Sequence, residues 1–242
     1  MLKNILMLNY FFKKNNSQNK IEAFGTINVH PTSRIVNSTI IISKDSKVII
    51  EENVIISGYN IYVKNGEIRI GANSRLEQGN NALKPTISLD SGNLNIADHC
   101  IIRSDICIRF NGQCSIGKYT GIMENTEIRV DEHLSIGDFN MISYECMIYD
   151  TNTHFNYSIK TRRSMTIKDF PNIGTEPQKP ETKPVNIGSD CWLGKRAVVL
   201  KGVQIGNNST VAACAVVTKN VPENSLVYGN PSISKLKNFD LK

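Results

Sequence analysis

The chain is poor in the features that mark several common functional classes. Its six cysteines form no Cys-x-x-Cys pair and no Cys/His pairing at zinc-site spacing, so a structural zinc is not indicated. It lacks a block of basic residues interleaved with aromatics. The 28 Lys+Arg and 22 Asp+Glu, net +6, are scattered along the sequence, which reads as solvated faces and argues against a nucleic-acid partner. It also lacks a long apolar run. The stretch from Ile5 to Phe12 is broken by Asn9 and Tyr10, has no small-residue cleavage site and is too short to cross a bilayer. The expectation is a cytoplasmic protein without stable membrane insertion, a peripheral contact with an inner membrane being the lesser alternative. With 40% apolar and 21% charged residues, the 242-residue chain has an ordinary soluble composition, far from disorder.

What the chain has is a beat of six. From Ile187 an aliphatic residue recurs at Leu193, Val199, Ile205, Val211 and Val217. Neither a helix nor a hairpin makes that period. Six is a multiple of the strand period of two, so all these side chains can face one side of an extended chain that turns a corner every six residues. Four positions after each aliphatic comes a small or β-branched residue (Cys191, Ala197, Val203, Ser209, Ala215, Val221), which suits a tight interior corner. The double register is the mark of a hexapeptide parallel β-helix. Cys100, Cys146 and Cys191 fall in the small slot, where a reduced thiol acts as a compact apolar group.

The beat extends backwards. Ile96, Ile102, Ile108, Ile116, Ile122, Ile128, Ile136, Ile142 and Ile148 follow a six, six, eight spacing. A looser run (Val36, Ile42, Ile50, Ile56, Tyr62, Ile70, Leu76) precedes them, separated by the polar stretch GNNALKPT. The expected fold is all-β: a three-sided parallel β-helix spanning 25–221, an N-terminal cap over 1–24 and a C-terminal cap or tail over 222–242. Between Ile148 and Ile187 the beat stops and then resumes in register, so 149–184 is expected to be a loop extruded from one corner. Loops this long inside a compact domain commonly carry function, and this one contains His154.

The run PVNIGSDCWLGKRAVVLKGVQIGNNSTVAACAVVTKNVPENSLVYGNP, preceded by SIGDFNMISYECMIYDTNTH, resembles the sugar and polysaccharide O-acetyltransferases of the left-handed β-helix, hexapeptide-repeat acyltransferase superfamily. The match is close over Ile116 to Pro231 and loose from about residue 36. It implies a left-handed solenoid, a homotrimer, acetyl-CoA as cosubstrate, no metal, and a glycan or sugar acceptor. By the same resemblance His154 is the general base that takes the proton of an acceptor hydroxyl, a task suited to an imidazole of pKa about 6.5. Asp131 matches a substrate-side aspartate. The family's Asp two positions before the histidine is Asn152 here, leaving Asp150 or Asp131 to replace it. The resemblance would place Trp192 along the pantetheine arm, against the plainer reading of packing at a subunit interface or under the loop, and it matches Lys195, Ala213, Thr218 and Lys219 to the CoA groove. Ile233 stands where a phosphate-binding Arg is usual, shifting that role to Lys235 or Lys237.

Two other readings compete. A carbonic anhydrase-like β-helix needs three adjacent histidines, and His30, His99, His133 and His154 are not spaced for it. A non-catalytic scaffold or glycan-binding β-helix would present a regular outward array and no interrupted coil, against the irregular outward positions here. What the resemblance implies is therefore a CoA-dependent O-acetyltransferase acting on a glycan such as a capsule or lipopolysaccharide precursor. Arg162 and Arg163 in the excursion point to an acidic acceptor.

Overall fold

Up to the closing antiparallel pair at the C-terminal end, each strand of the solenoid pairs with the strands one coil before and after it and not with its neighbour in sequence. The computed structural model describes residues 18–80, 83–172, 174 and 176–236. The apolar stretch Ile5 to Phe12 lies outside them. The first coil supplies Lys20–Ala23 to a first face, Thr26–Val29 to a second and Arg34–Val36 to a third. Repetition builds sheets of nine, eight and ten strands in a left-handed β-solenoid.

The expected aliphatics form the interior ladders. Ile50, Ile70, Ile96, Ile116, Ile136, Ile187 and Ile205 stack in register on the second face. Leu76, Ile102, Ile122, Ile142, Leu193 and Val211 stack on the third. All are buried, and each contributes about 1.5–3 kcal/mol relative to exposure. The small-slot cysteines Cys100, Cys146 and Cys191 are buried beneath the corners and take part in no disulfide.

Two early rungs differ from expectation. On the first face, four-residue strands bury two side chains each, Ile61 and Val63 for example, so Tyr62 between them points outward and is 39% exposed. Ile35, not Val36, is the inward residue aligned with Ile56. The period of two inside a longer strand makes a six-residue count ambiguous by one or two positions. The cap boundaries also shift. Lys20–Ala23 is already a first-face strand paired with Thr39–Ile42, so the solenoid starts before residue 25. At the other end it runs past 221: Ser225–Tyr228 adds a parallel rung with Val227 on Val211, and Ile233–Leu236 closes the face as an antiparallel strand. Pro222 does not end the repeat because it sits between strands, where no ladder N–H is required.

The corners demand left-handed backbone. At the turn from second to third face, Asn53, Asn73, His99, Tyr119, Phe139, Asp190, Asn208 and Asn224 have φ between 54 and 61°. Asn adopts this most readily. His99, Tyr119 and Phe139 instead stack on one another, with centroids 4.6 and 5.0 Å apart, which offsets part of the strain. At the entry to the second face the demand is for glycine: Gly66, Gly92 and Gly112 are aligned across three coils. Gly92 has φ 123°, and a Cβ there would lie 2.1 Å from the Gly112 carbonyl oxygen. Gly92→Ala is expected to cost about 1–3 kcal/mol, read as a lower urea midpoint. An unchanged midpoint would show that the corner relaxes freely.

Candidate active site

The excursion replaces one corner between the first and second faces. It leaves after Met147–Tyr149, is pinched by an antiparallel bridge between Thr151 and Thr182, and returns as Val185–Ile187. Inside it is a helix, α1, Ile159–Asp169. Its N-cap Ser158 accepts a hydrogen bond from the Thr161 N–H at 3.1 Å. The sequence reading did not find α1 because IKTRRSMTIKD has no apolar stripe, and none of its residues is fully buried.

His154 is 63% exposed at its side chain, while the carboxylate it meets is not: Glu176 is only 4% exposed and its Oε2 lies 3.0 Å from His154 Nδ1. The other oxygen, Oε1, accepts from the Tyr157 hydroxyl at 3.0 Å. Desolvation, then the neighbouring Glu176, push the Tyr157 pKa up, so the hydroxyl stays protonated and donates. A carboxylate can only accept, so Nδ1 carries the imidazole proton and Nε2 is the free basic nitrogen. This is the arrangement of a general base with its orienting acid.

Glu176 escaped the sequence reading. It lies 22 residues beyond His154 in a Pro-punctuated stretch without periodicity, and its only signal was being a carboxylate inside the interrupted coil. If it fixes the tautomer, Glu176→Gln is expected to move the His154 ring ¹⁵N shifts from a single Nδ1–H tautomer toward averaged values. Ring ¹⁵N spectra of the two proteins check this, and unchanged shifts would show that Glu176 does not hold the imidazole.

The two aspartates expected near the histidine have other roles. Asp150 is buried and accepts from the backbone N–H groups of Asp131, Glu132 and His133, each at 2.8 Å, tying one coil corner to the next. Burial is the largest influence on it and raises its pKa against those three donors. Asp131 is 0% exposed, with both oxygens engaged by Arg109 at 2.9 and 2.7 Å and Oδ2 also by the Thr151 hydroxyl at 2.7 Å. It cannot touch a substrate. The assignment of Asp131 as a substrate-side residue is therefore corrected: it is an interior anchor beneath the loop.

The proposed cofactor residues are spread over the prism. Trp192 projects from the third face, 52% exposed, between Met141 and Thr210 in register. Lys195 and Ala213 occupy the corner from third to first face, where Lys195 Nζ is 3.0 Å from Glu145 Oε1. Thr218 and Lys219 are exposed on the corner that follows the first-face strand Val216–Val217. Lys235 lies in the closing strand opposite Leu226. His154 follows Thr153, whose carbonyl accepts from Arg109 at the first-to-second corner. On a three-sided prism that corner lies opposite the third face, so one chain alone does not bring His154 and Trp192 together.

Residues 184–219 match the family model described as bacterial transferase hexapeptide (six repeats). The chain is similar to a galactoside O-acetyltransferase of Lactococcus lactis subsp. lactis strain IL1403, 30% identical over 144 residues, 59% of this chain and 62% of that protein. It is also similar to a Staphylococcus aureus strain MRSA252 protein named for acetyltransferase activity, 52% identical over 48 residues, 20% of this chain and 24% of the other. The chain thus spans less than two thirds of the length of these curated relatives. Among solved structures it is similar to the polySia-specific acetyltransferase NeuO, with a TM-score of 0.54 and 18% identity, covering 93% of this chain and 82% of that one. That likeness is one of fold. Residues 184–219 thus carry a bacterial transferase hexapeptide repeat, set in a solenoid of three parallel faces whose fold is shared with that solved structure.

Proposed function

We propose that the protein is a CoA-dependent O-acetyltransferase that moves an acetyl group from acetyl-CoA to a sugar hydroxyl of a surface glycan or its precursor, with His154 as general base. The observation that carries this reading is the exposed imidazole whose Nδ1 is held by a buried carboxylate. His154 Nε2 accepts the proton of the acceptor hydroxyl as that oxygen bonds to the thioester carbonyl carbon. When the carbon–sulfur bond breaks, the same nitrogen returns the proton to the leaving thiolate. Similarity to a named galactoside O-acetyltransferase supports the sugar hydroxyl as acceptor.

In this reading the site is shared between chains of a homotrimer. The opposite placement of His154 and Trp192 supports that arrangement, as does an indole left half-exposed among Met141 and Thr210. Trp192 would flank the pantetheine arm, Lys195, Thr218 and Lys219 would meet the polar and phosphate groups, and Ala213 would leave the groove open. Arg162 and Arg163, exposed on α1 beside the imidazole loop, favour an acidic acceptor. The test is thiol release from acetyl-CoA across neutral and acidic glycans. Acceptor-dependent release supports the reading, and no release above the acceptor-free rate with any glycan counts against it.

A further inference from the structure

Thr153, immediately before His154, has φ 66°. For a β-branched residue this is left-handed backbone of high strain, and such strain persists only where the surroundings over-determine it. Those surroundings belong to earlier coils. Asp131 Oδ2 accepts from the Thr151 hydroxyl at 2.7 Å, and Thr151 Oγ1 in turn accepts from the Thr153 N–H at 3.0 Å. Arg109 grips Asp131 through Nε and Nη2 at 2.9 and 2.7 Å, and the same Nη2 donates to the Thr153 carbonyl at 3.2 Å. The carbonyl of the strained residue is thus held directly by Arg109, and its N–H by Thr151, whose hydroxyl is itself anchored on the buried Asp131.

We propose that Arg109 and Asp131 are positioning residues for His154: their buried pair clamps Thr153 in its left-handed conformation and thereby fixes where the imidazole meets Glu176. The pair reaches no substrate. It acts through Thr151 and Thr153, and it rests on the reading of His154 as general base only for its effect on turnover. A fork-shaped guanidinium is required because one side chain must satisfy a carboxylate and a carbonyl together, which a lysine ammonium with its single nitrogen does poorly. The pair is also the reason a corner two coils away from the excursion carries an arginine with only 22% of its side chain exposed.

The experiment uses Arg109→Lys, which preserves a charge for Asp131, and Thr153→Gly, which adopts φ 66° without strain. Each is measured by steady-state thiol release, thermal unfolding and the ¹⁵N shifts of the His154 ring. Arg109→Lys is expected to lower kcat about 10- to 100-fold with KM for acetyl-CoA unchanged. Its His154 nitrogen shifts should move from a single Nδ1–H tautomer toward the averaged values of a free imidazole. Thr153→Gly is expected to keep or raise the unfolding midpoint while lowering kcat, a split that a purely structural role would not give. If both variants keep wild-type His154 shifts and turnover, the clamp is wrong. If the shifts average in Arg109→Lys but His154→Ala is fully active, the clamp stands and the catalytic reading of His154 falls.

Discussion

His154→Ala is expected to lower acceptor-dependent thiol release by about 10²- to 10⁴-fold, the range a positioned general base supplies. Nothing structural compensates. The imidazole is largely exposed, and no other histidine lies in the excursion. Its removal leaves Glu176 still satisfied on one oxygen by Tyr157, so the loop should fold as before, with an unfolding midpoint close to wild type. The defect should therefore lie in kcat with KM for acetyl-CoA little changed, since Nε2 acts on the proton in flight and not on the bound thioester. Wild-type release by His154→Ala with every acceptor would remove the general-base assignment while leaving the protein an enzyme.

The solenoid could be read from the sequence because its interior is one-dimensional. Ile116, Ile122, Ile128, Ile136, Ile142 and Ile148 lie in the ladders that their spacing implied, each with less than 4% exposure. Where a strand lengthens, as at Ile61 to Val63, the period of two hides the true rung, and the count slipped to Tyr62. The excursion has no period at all. His154 was found through its resemblance to a family motif. Glu176 was missed because long-range pairing within an irregular loop leaves no trace in spacing. Asp131 shows the opposite error: a carboxylate in a motif-like position was given a substrate, and the structure spends it on Arg109 and Thr151. Sequence alone does not distinguish a carboxylate facing water from one facing a buried guanidinium.

Co-expression of His154→Ala with Trp192→Glu is expected to restore activity that neither variant has alone. The argument is geometric. His154 sits over the corner between the first and second faces and Trp192 projects from the third face, so the proposed site takes the corner of one chain and the face of another. Trp192→Glu places a carboxylate in the proposed pantetheine path, where it repels the anionic cosubstrate and leaves no apolar wall. In a closed cyclic oligomer assembled at random from equal amounts of the two chains, each site takes its histidine and its tryptophan from different subunits. Both are intact in about a quarter of all sites but in one site of each mixed trimer, so purified mixed trimers should reach roughly a third of wild-type turnover. If instead each chain held a complete site, no mixture could exceed the mean of two nearly inactive proteins. Differently tagged chains purified sequentially on both tags ensure that only mixed oligomers are assayed. Activity no higher than that mean would overturn the shared site, and the placement of Trp192 in the groove would fall with it.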